Sequence, residues 1–317
     1  MRLFLACIVI MISAEAYSQT RQITLEPVGK KQYTLKSKGL PHGNYSGIAK
    51  VKENVYAIVS DKKIANREKA KEKGFQWFIF DDESRDMEGI VYCPKSNTVF
   101  ISGEADQRIL EYTLEGNLTG RELNIPKEFS TEKIEPNGGF EALTYNETTG
   151  LFWTTTEMPL LADGHESGIL RLQSFNEDLT AGRQAIYRLD APEDGEKKAR
   201  SVVHGVSDMI ALDDGELIVM ERRVVIKKRY WGSYCDTKLY LVNPQAGSIP
   251  VEKKLVYRIQ SKLNLKMWFG GEKFANFEGM CFGPLTSDGE KTLILISDSQ
   301  GGYKILNDYV KIVKIKE

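Results

Sequence analysis

The chain has 317 residues, 41% hydrophobic and 27% charged, with a formal net charge of −1. This is ordinary globular material, long enough for one closed β architecture or two smaller domains. The balance lacks the basic surplus or stripe that a nucleic-acid partner calls for, and the longest basic cluster, Lys227-Lys228-Arg229 after Arg222-Arg223, reads as a solvated strand edge or loop.

The N-terminus has the pattern of a processing segment. Arg2 supplies the positive end, residues 3–12 the apolar run, and Ala16-Tyr17-Ser18 a small-x-small cleavage site before Gln19. The run is too short for an ordinary transmembrane helix, and no later stretch reaches spanning length. Cys7 sits inside the apolar run, which argues against a lipid anchor. The expectation is a signal peptide over residues 1–18, then one exported, periplasmic or extracellular domain over 19–317. Only Cys93, Cys235 and Cys281 remain after cleavage, too few for a disulfide framework and without zinc-like spacing, so buried packing thiols are expected.

Residues 22–35 then read as a strand pair. From there the chain repeats one sentence: an acidic or Ser-Gly step, an apolar run, a turn, and a second apolar run ending near a carboxylate. Its first, fainter copy is Tyr45-Ser46-Gly47-Ile48-Ala49 with Ser60-Asp61. A charged, Ala-rich insertion of helix-like composition follows over residues 62–73, with a third strand at 75–80. The second copy is Asp86-Met87-Glu88-Gly89-Ile90 with Ser102-Gly103-Glu104. It adds strands at 109–114 and 123–125. The third is Gly139-Phe140-Glu141-Ala142-Leu143 with Thr156-Glu157, followed by strands at 168–172 and 184–189. The fourth is Val206-Ser207-Asp208-Met209 with Met220-Glu221, followed by strands at 238–242 and 254–259. The fifth is Asn276-Phe277-Glu278-Gly279-Met280 with Ser297-Asp298, and only residues 309–315 remain as a strand after it.

Repeats at this interval, each with about four short strands and Gly, Asn, Asp or Pro turns, predict an all-β fold, a β-propeller. Five units are evident, and a sixth has room in the longer third or fourth repeat. The last unit is one strand short, so the N-terminal strand is expected to complete it and close the ring.

In such a fold the first strand of each blade lines a central channel. Glu88, Glu141, Asp208 and Glu278 are then expected at one mouth, as candidate catalytic groups. The acids ending the second strands, Asp61, Glu104, Glu157, Glu221 and Asp298, form a wider ring; the last four, with Glu88, are candidate metal ligands. Clustered carboxylates raise one another's pKa unless a cation compensates, and Ca²⁺ is the economical oxygen-liganded choice. The competing reading is that each acid accepts backbone N–H bonds and locks the blades together. The loops after inner strands carry His165 in the third repeat, and Arg222 and Arg223 in a loop over 222–236 of the fourth; these are candidate substrate-binding groups, although Glu221-Arg222 also fits a simple ion pair. There is no nucleophile elbow, P-loop, H-E-x-x-H or dinucleotide fingerprint, which leaves carboxylate and metal chemistry if the chain is an enzyme.

The ordered motifs Asp86-Met87-Glu88-Gly89-Ile90, Gly139-Phe140-Glu141-Ala142-Leu143 with Glu157, Val206-Ser207-Asp208 with Glu221-Arg222, and Asn276-Phe277-Glu278-Gly279-Met280 with Ser297-Asp298 resemble the family called "esterase-like activity of phytase". It departs from the family pattern at Glu141-Ala142, where Gly usually follows, and at Asp298-Ser299-Gln300, where Asn is common after the Asp pair. The resemblance implies an exported, hydrolase-like propeller acting on a small-molecule ester or phosphate ester, with metal assistance; the sequence carries no strong oligomerisation signal, so a monomer is expected. A ligand- or partner-binding propeller without catalysis, and a calcium-dependent lactonase-type enzyme, fit the same residues.

Overall fold

Runs of β-branched and aromatic residues bounded by Asn, Gly and Pro become twenty strands in the computed structural model, which describes residues 22–29, 32–65, 67–71, 73–193, 196–265, 269, 271–300 and 306–317. β1 (Thr24–Pro27) and β2 (Tyr33–Thr34) come first. The first blade holds β3 (Tyr45–Lys52), β4 (Val55–Ser60) and β5 (Gln76–Phe80). The second holds β6 (Met87–Cys93), β7 (Thr98–Gly103), β8 (Arg108–Thr113) and β9 (Leu118–Glu122). The third holds β10 (Phe140–Asn146), β11 (Leu151–Thr156), β12 (Ile169–Phe175) and β13 (Ala181–Arg188). The fourth holds β14 (Ala199–Ala211), β15 (Leu217–Lys227), β16 (Tyr234–Val242) and β17 (Lys253–Lys262). The fifth holds β18 (Asn276–Phe282), β19 (Thr292–Asp298) and β20 (Tyr309–Lys316). The strands form five sheets, a five-bladed propeller with no sixth sheet among the described residues.

Neither N-terminal strand pairs with the other. β1 and β2 lie one after the other along β20, with Thr24 opposite Lys316 and Tyr33 opposite Val310, so the fifth sheet gains both. The first sheet has three strands rather than four, and β5 runs parallel to β4. Residues 62–73 therefore carry the chain from one end of the sheet to the other. Among the described residues of this stretch, the helix-like composition yields a 3₁₀ turn at Arg67–Lys69. The 222–236 loop is also shorter than its polarity implies, because β15 runs on through Lys227 and β16 starts at Tyr234.

Every inner hairpin turns on a residue with positive φ: Asn54, Asn97, Gly150, Gly215 and Gly289. Asn and Gly are the residues that adopt this left-handed conformation at low cost. The apolar faces meet at five seams between adjacent blades. Ala57 and Val59 pack with Val99 and Ile101, and Phe100 with Phe152 and Phe175. Trp153 and Leu172 meet Val219; Met220 and Leu239 meet Leu293 and Leu295; Ile294 and Ile296 meet Ile48 and Ile58. Cys93, Cys235 and Cys281 are buried free thiols. No helix among the described residues is long and apolar enough to cross a membrane. The expected signal peptide lies outside the described residues.

Candidate functional site at the channel mouth

One register feature aims the site. In every blade the pairing of the first strand with the second shifts by one residue near the mouth, and the bulged residue is Ser46, Glu141, Ser207 and Glu278 in the first, third, fourth and fifth blades. In the second blade it falls at Glu88-Gly89. A β-bulge turns one side chain out of the regular alternation and increases local twist. These five positions form the inner tier of the mouth: Glu88, Glu141 and Glu278 with Ser46 and Ser207.

The residue after the bulge explains the recurrent acid-Gly step. A Cβ on Gly47 would collide with the Glu88 carbonyl, and one on Gly89 with the Glu141 carbonyl. A Cβ on Gly279 would stand 2.9 Å from the Ser46 carbonyl. The glycines let neighbouring inner strands approach backbone to backbone, which no larger residue permits at these three seams.

The outer tier follows from the same register. Asp61, Glu104 and Glu157 donate their backbone N–H to the carbonyls of Asn44, Asp86 and Gly139. Arg222 lies opposite Gly205 and Asp298 opposite Asn276. The equivalent positions are thus Asp61, Glu104, Glu157, Arg222 and Asp298, four acids and one arginine. Glu221, expected in this ring, is one residue out of phase. Side chains alternate along a strand, and its carboxylate accepts instead from Tyr187 Oη at 2.9 Å, Lys253 Nζ at 2.8 Å and the Asp190 N–H at 2.9 Å, with His204 Nε2 at 2.8 Å.

Asp208 is likewise out of phase with Glu88, Glu141 and Glu278. It occupies the position that is glycine in three blades, and its oxygens accept the N–H groups of Met209 at 2.8 Å and Met280 at 2.5 Å. That is the blade-locking role open to each acid on sequence grounds. Burial drives its pKa well above the usual carboxylate range, against these backbone donors.

The remaining acids divide into two groups. Arg222 spans the first: its Nη2 donates to Glu157 Oε1 at 2.7 Å and its Nη1 to Glu278 Oε1. Burial nonetheless pushes Glu278 up to about 8, with Arg222 opposing and Asp298 and Glu157 adding repulsion. Asp298, capped by the Gln300 backbone and side-chain amides, is raised to about 7 by burial and by neighbouring Asp61. The second group is Glu88, Glu104 and Glu141, each offering an oxygen within 4.8 Å of the others; Asp61, Asp86 and Glu88 satisfy the same criterion. Glu88 is 8% exposed and Glu141 6%. Burial first, then the Glu278 charge, raises Glu88; burial, then Glu88 itself, raises Glu141. No described cation forms a salt bridge with Glu88, Glu104 or Glu141, and Asp61 Oδ1 is buried without a hydrogen-bond partner. Three hard oxygen donors in mutual repulsion form a set that fits a divalent cation.

Of the expected substrate-binding groups, only Arg222 reaches the mouth. Arg223 points the other way and is held by Glu196 at 2.9 Å and the Ala191 carbonyl at 2.9 Å. His165 is exposed in a 3₁₀ turn (His165–Ser167) and belongs to neither acid group. Ser46, Ser207 and Asp86 join the site without having been expected there. A signal for the outer tier was present: Asp61, Glu104, Glu157 and Arg222 each fall seven residues after the left-handed turn residues Asn54, Asn97, Gly150 and Gly215.

No curated protein matches the sequence. Among solved structures, the chain is similar to a Bacteroides thetaiotaomicron protein of unknown function, with 10% identity over 93% of this chain and 76% of that one, TM-score 0.38. It is also similar to a member of a family of unknown function from Bacteroides vulgatus, with 8% identity over 92% and 98% of the two chains, TM-score 0.40. A third is the periplasmic gluconolactonase of Pseudomonas aeruginosa, with 15% identity over 72% and 54%, TM-score 0.31. The phytase-like family model, described as esterase-like activity of phytase, matches residues 71–300, which hold the bulged acids Glu88, Glu141 and Glu278, and the chain belongs to that family.

Proposed function

We propose that this propeller is a metal-assisted hydrolase of a small ester or phosphate ester, with Glu88, Glu104 and Glu141 as the cation ligands. The observation that carries the reading is the approach of these three carboxylates to within 4.8 Å, two of them in the inner tier and more than nine-tenths buried, with no salt-bridged cation among the described residues. Glu88, Glu104 and Glu141 would hold a divalent cation, which would supply polarisation of an ester or phosphoryl oxygen and a more acidic bound water. The chain's own residues supply the rest. Glu278, raised to about 8, holds a proton at neutral pH that a leaving alkoxide can take. Arg222 fixes that carboxyl through its Nη1. Asp208 stays out of the chemistry, since its oxygens are committed to backbone donors.

With the cation absent, the acids of the mouth outnumber Arg222 and Lys62 and repel a phosphate group, so metal dependence follows for a phosphate ester. The test is hydrolysis of p-nitrophenyl acetate and p-nitrophenyl phosphate with added CaCl₂ or EDTA. Calcium-dependent turnover, lowered at least about 100-fold by Glu141→Gln, supports the reading. Turnover insensitive to both EDTA and Glu141→Gln sinks it, and no turnover on either substrate favours a ligand-binding propeller. The leader over residues 1–18 belongs to the same proposal; an N-terminus at Gln19 after secretion, read by Edman or mass analysis, is the expected result.

A further inference from the structure

A recess of about 280 Å³ opens beside the Glu88–Glu104–Glu141 group, at the rim between the second and third blades. Its polar lining is Asp86, Glu104, Gln107, Thr131, Glu135 and Asn137. Three features mark it as built rather than incidental. Gln107 is 5% exposed, and its Oε1 is buried without any hydrogen-bond partner. The amide cannot turn over to cure this, because its Nε2 donates to the Glu104 carbonyl at 2.7 Å, where only a donor fits. A buried acceptor left unpaired is a deficit that a donor reaching Oε1 from the recess recovers.

Backbone strain is the second feature. Of the eight described non-glycine residues with positive φ, three line this recess: Asp86 at 52°, Gln107 at 51° and Asn137 at 55°. Such conformations cost free energy and gather where a side chain must be held in place. Third, Gly139 keeps the floor open. A Cβ there would run into the Gln107 amide, while the Gly139 N–H donates to Glu104 Oε1 at 2.9 Å.

The lining also selects a chemistry. It contains three carboxylates and no Lys or Arg, so a phosphate or carboxylate group is disfavoured. Asp86 Oδ1 is already paired with Lys62 at 2.9 Å. Gln107 and the carboxylates accept hydrogen bonds, whereas Asn137 and Thr131 both donate and accept. A hydroxyl uses both capacities; an ammonium uses only acceptors. We propose that the recess recognises an uncharged, hydroxyl-rich group, of sugar or polyol type, on the molecule whose ester reaches the neighbouring carboxylates. This rests on the hydrolase reading for the orientation of the ligand, but binding in the recess is measured separately.

The experiment is saturation-transfer NMR and titration of the full chain with methyl α-glucopyranoside, ethylammonium chloride and inorganic phosphate as probes. Methyl glucoside is expected to bind, and Gln107→Met, which removes the orphan acceptor at similar volume, to weaken it up to about tenfold, the effect of one lost hydrogen bond. Asn137→Gly removes the amide while relieving the left-handed strain, so the fold is secure, and it too should weaken the glucoside. Glu88→Gln should leave glucoside binding in place whatever it does to metal or turnover, which separates this inference from the hydrolase reading. Preference for ethylammonium or phosphate, absence of glucoside binding, or glucoside binding unchanged in both Gln107→Met and Asn137→Gly overturns it.

Discussion

Removing the guanidinium of Arg222 tests the electrostatics of the mouth most sharply. Arg222 is 8% exposed and bonds Glu157 at 2.7 Å and Glu278 at once. Arg222→Met keeps much of the side-chain volume and deletes the charge. Breaking the buried ion pair with Glu157 from one side costs about 3–5 kcal/mol, because that carboxylate has lost its compensation. The pH dependence adds a signature that a packing defect lacks. Glu278 is raised to about 8 in the folded protein, against about 4.3 in an unfolded chain. The folded state therefore binds more protons between those values, and this group's contribution to stability falls as pH rises through the window. Since Arg222 holds the Glu278 pKa down, its loss extends the window above 8. The deficit of the variant should then grow there by up to about 1.4 kcal/mol per pH unit. Urea unfolding followed by tryptophan fluorescence, in EDTA at pH 6, 8 and 9, measures it. A deficit below about 1 kcal/mol, or one that shrinks above pH 8, would show that Arg222 does not hold the Glu278 charge in place.

Gly89→Ala drives a Cβ toward the Glu141 carbonyl and to 2.9 Å from Leu143 Cβ, and a loss of about 1–3 kcal/mol or more is expected by calorimetry; a melting temperature unchanged within error counts against the close-approach account. Asp208→Leu should destabilise by about 1–3 kcal/mol through the stranded Met209 and Met280 N–H groups, yet leave cation affinity within about threefold; a large loss of affinity would make Asp208 a cation ligand and contradict its blade-locking role. Protons compete for the raised carboxylates Glu88 and Glu141, so apparent Ca²⁺ affinity should rise from pH 5.5 to 8.5, with proton release on binding seen as a buffer-dependent heat. Affinity that falls with pH contradicts this.

The repeat itself made the propeller legible, since an apolar run ending at a fixed distance from a turn is visible without coordinates. Three details were not. In blade one β5, expected as a third strand, pairs parallel to β4, a long-range choice with no local signature. The identity of the ring members depended on a one-residue bulge, and matching acid to acid placed Asp208 and Glu221 where Ser207 and Arg222 stand. A slip of one residue exchanges the two faces of a strand, which is why Glu221 binds His204 and Lys253 while Arg222 bridges the mouth. Gln107 gave no sequence signal, because its role depends on an unpaired oxygen and on the left-handed backbone that aims it.

Whether Glu88, Glu104 and Glu141 bind a cation is decided by calorimetric titration of the metal-free chain with CaCl₂. One site is expected in the wild type, lost or weakened at least about 100-fold in Glu88→Gln/Glu141→Gln, and kept in Glu221→Gln, whose carboxylate belongs to a separate network. No calcium heat in the wild type, or equal binding in the double variant, would contradict it.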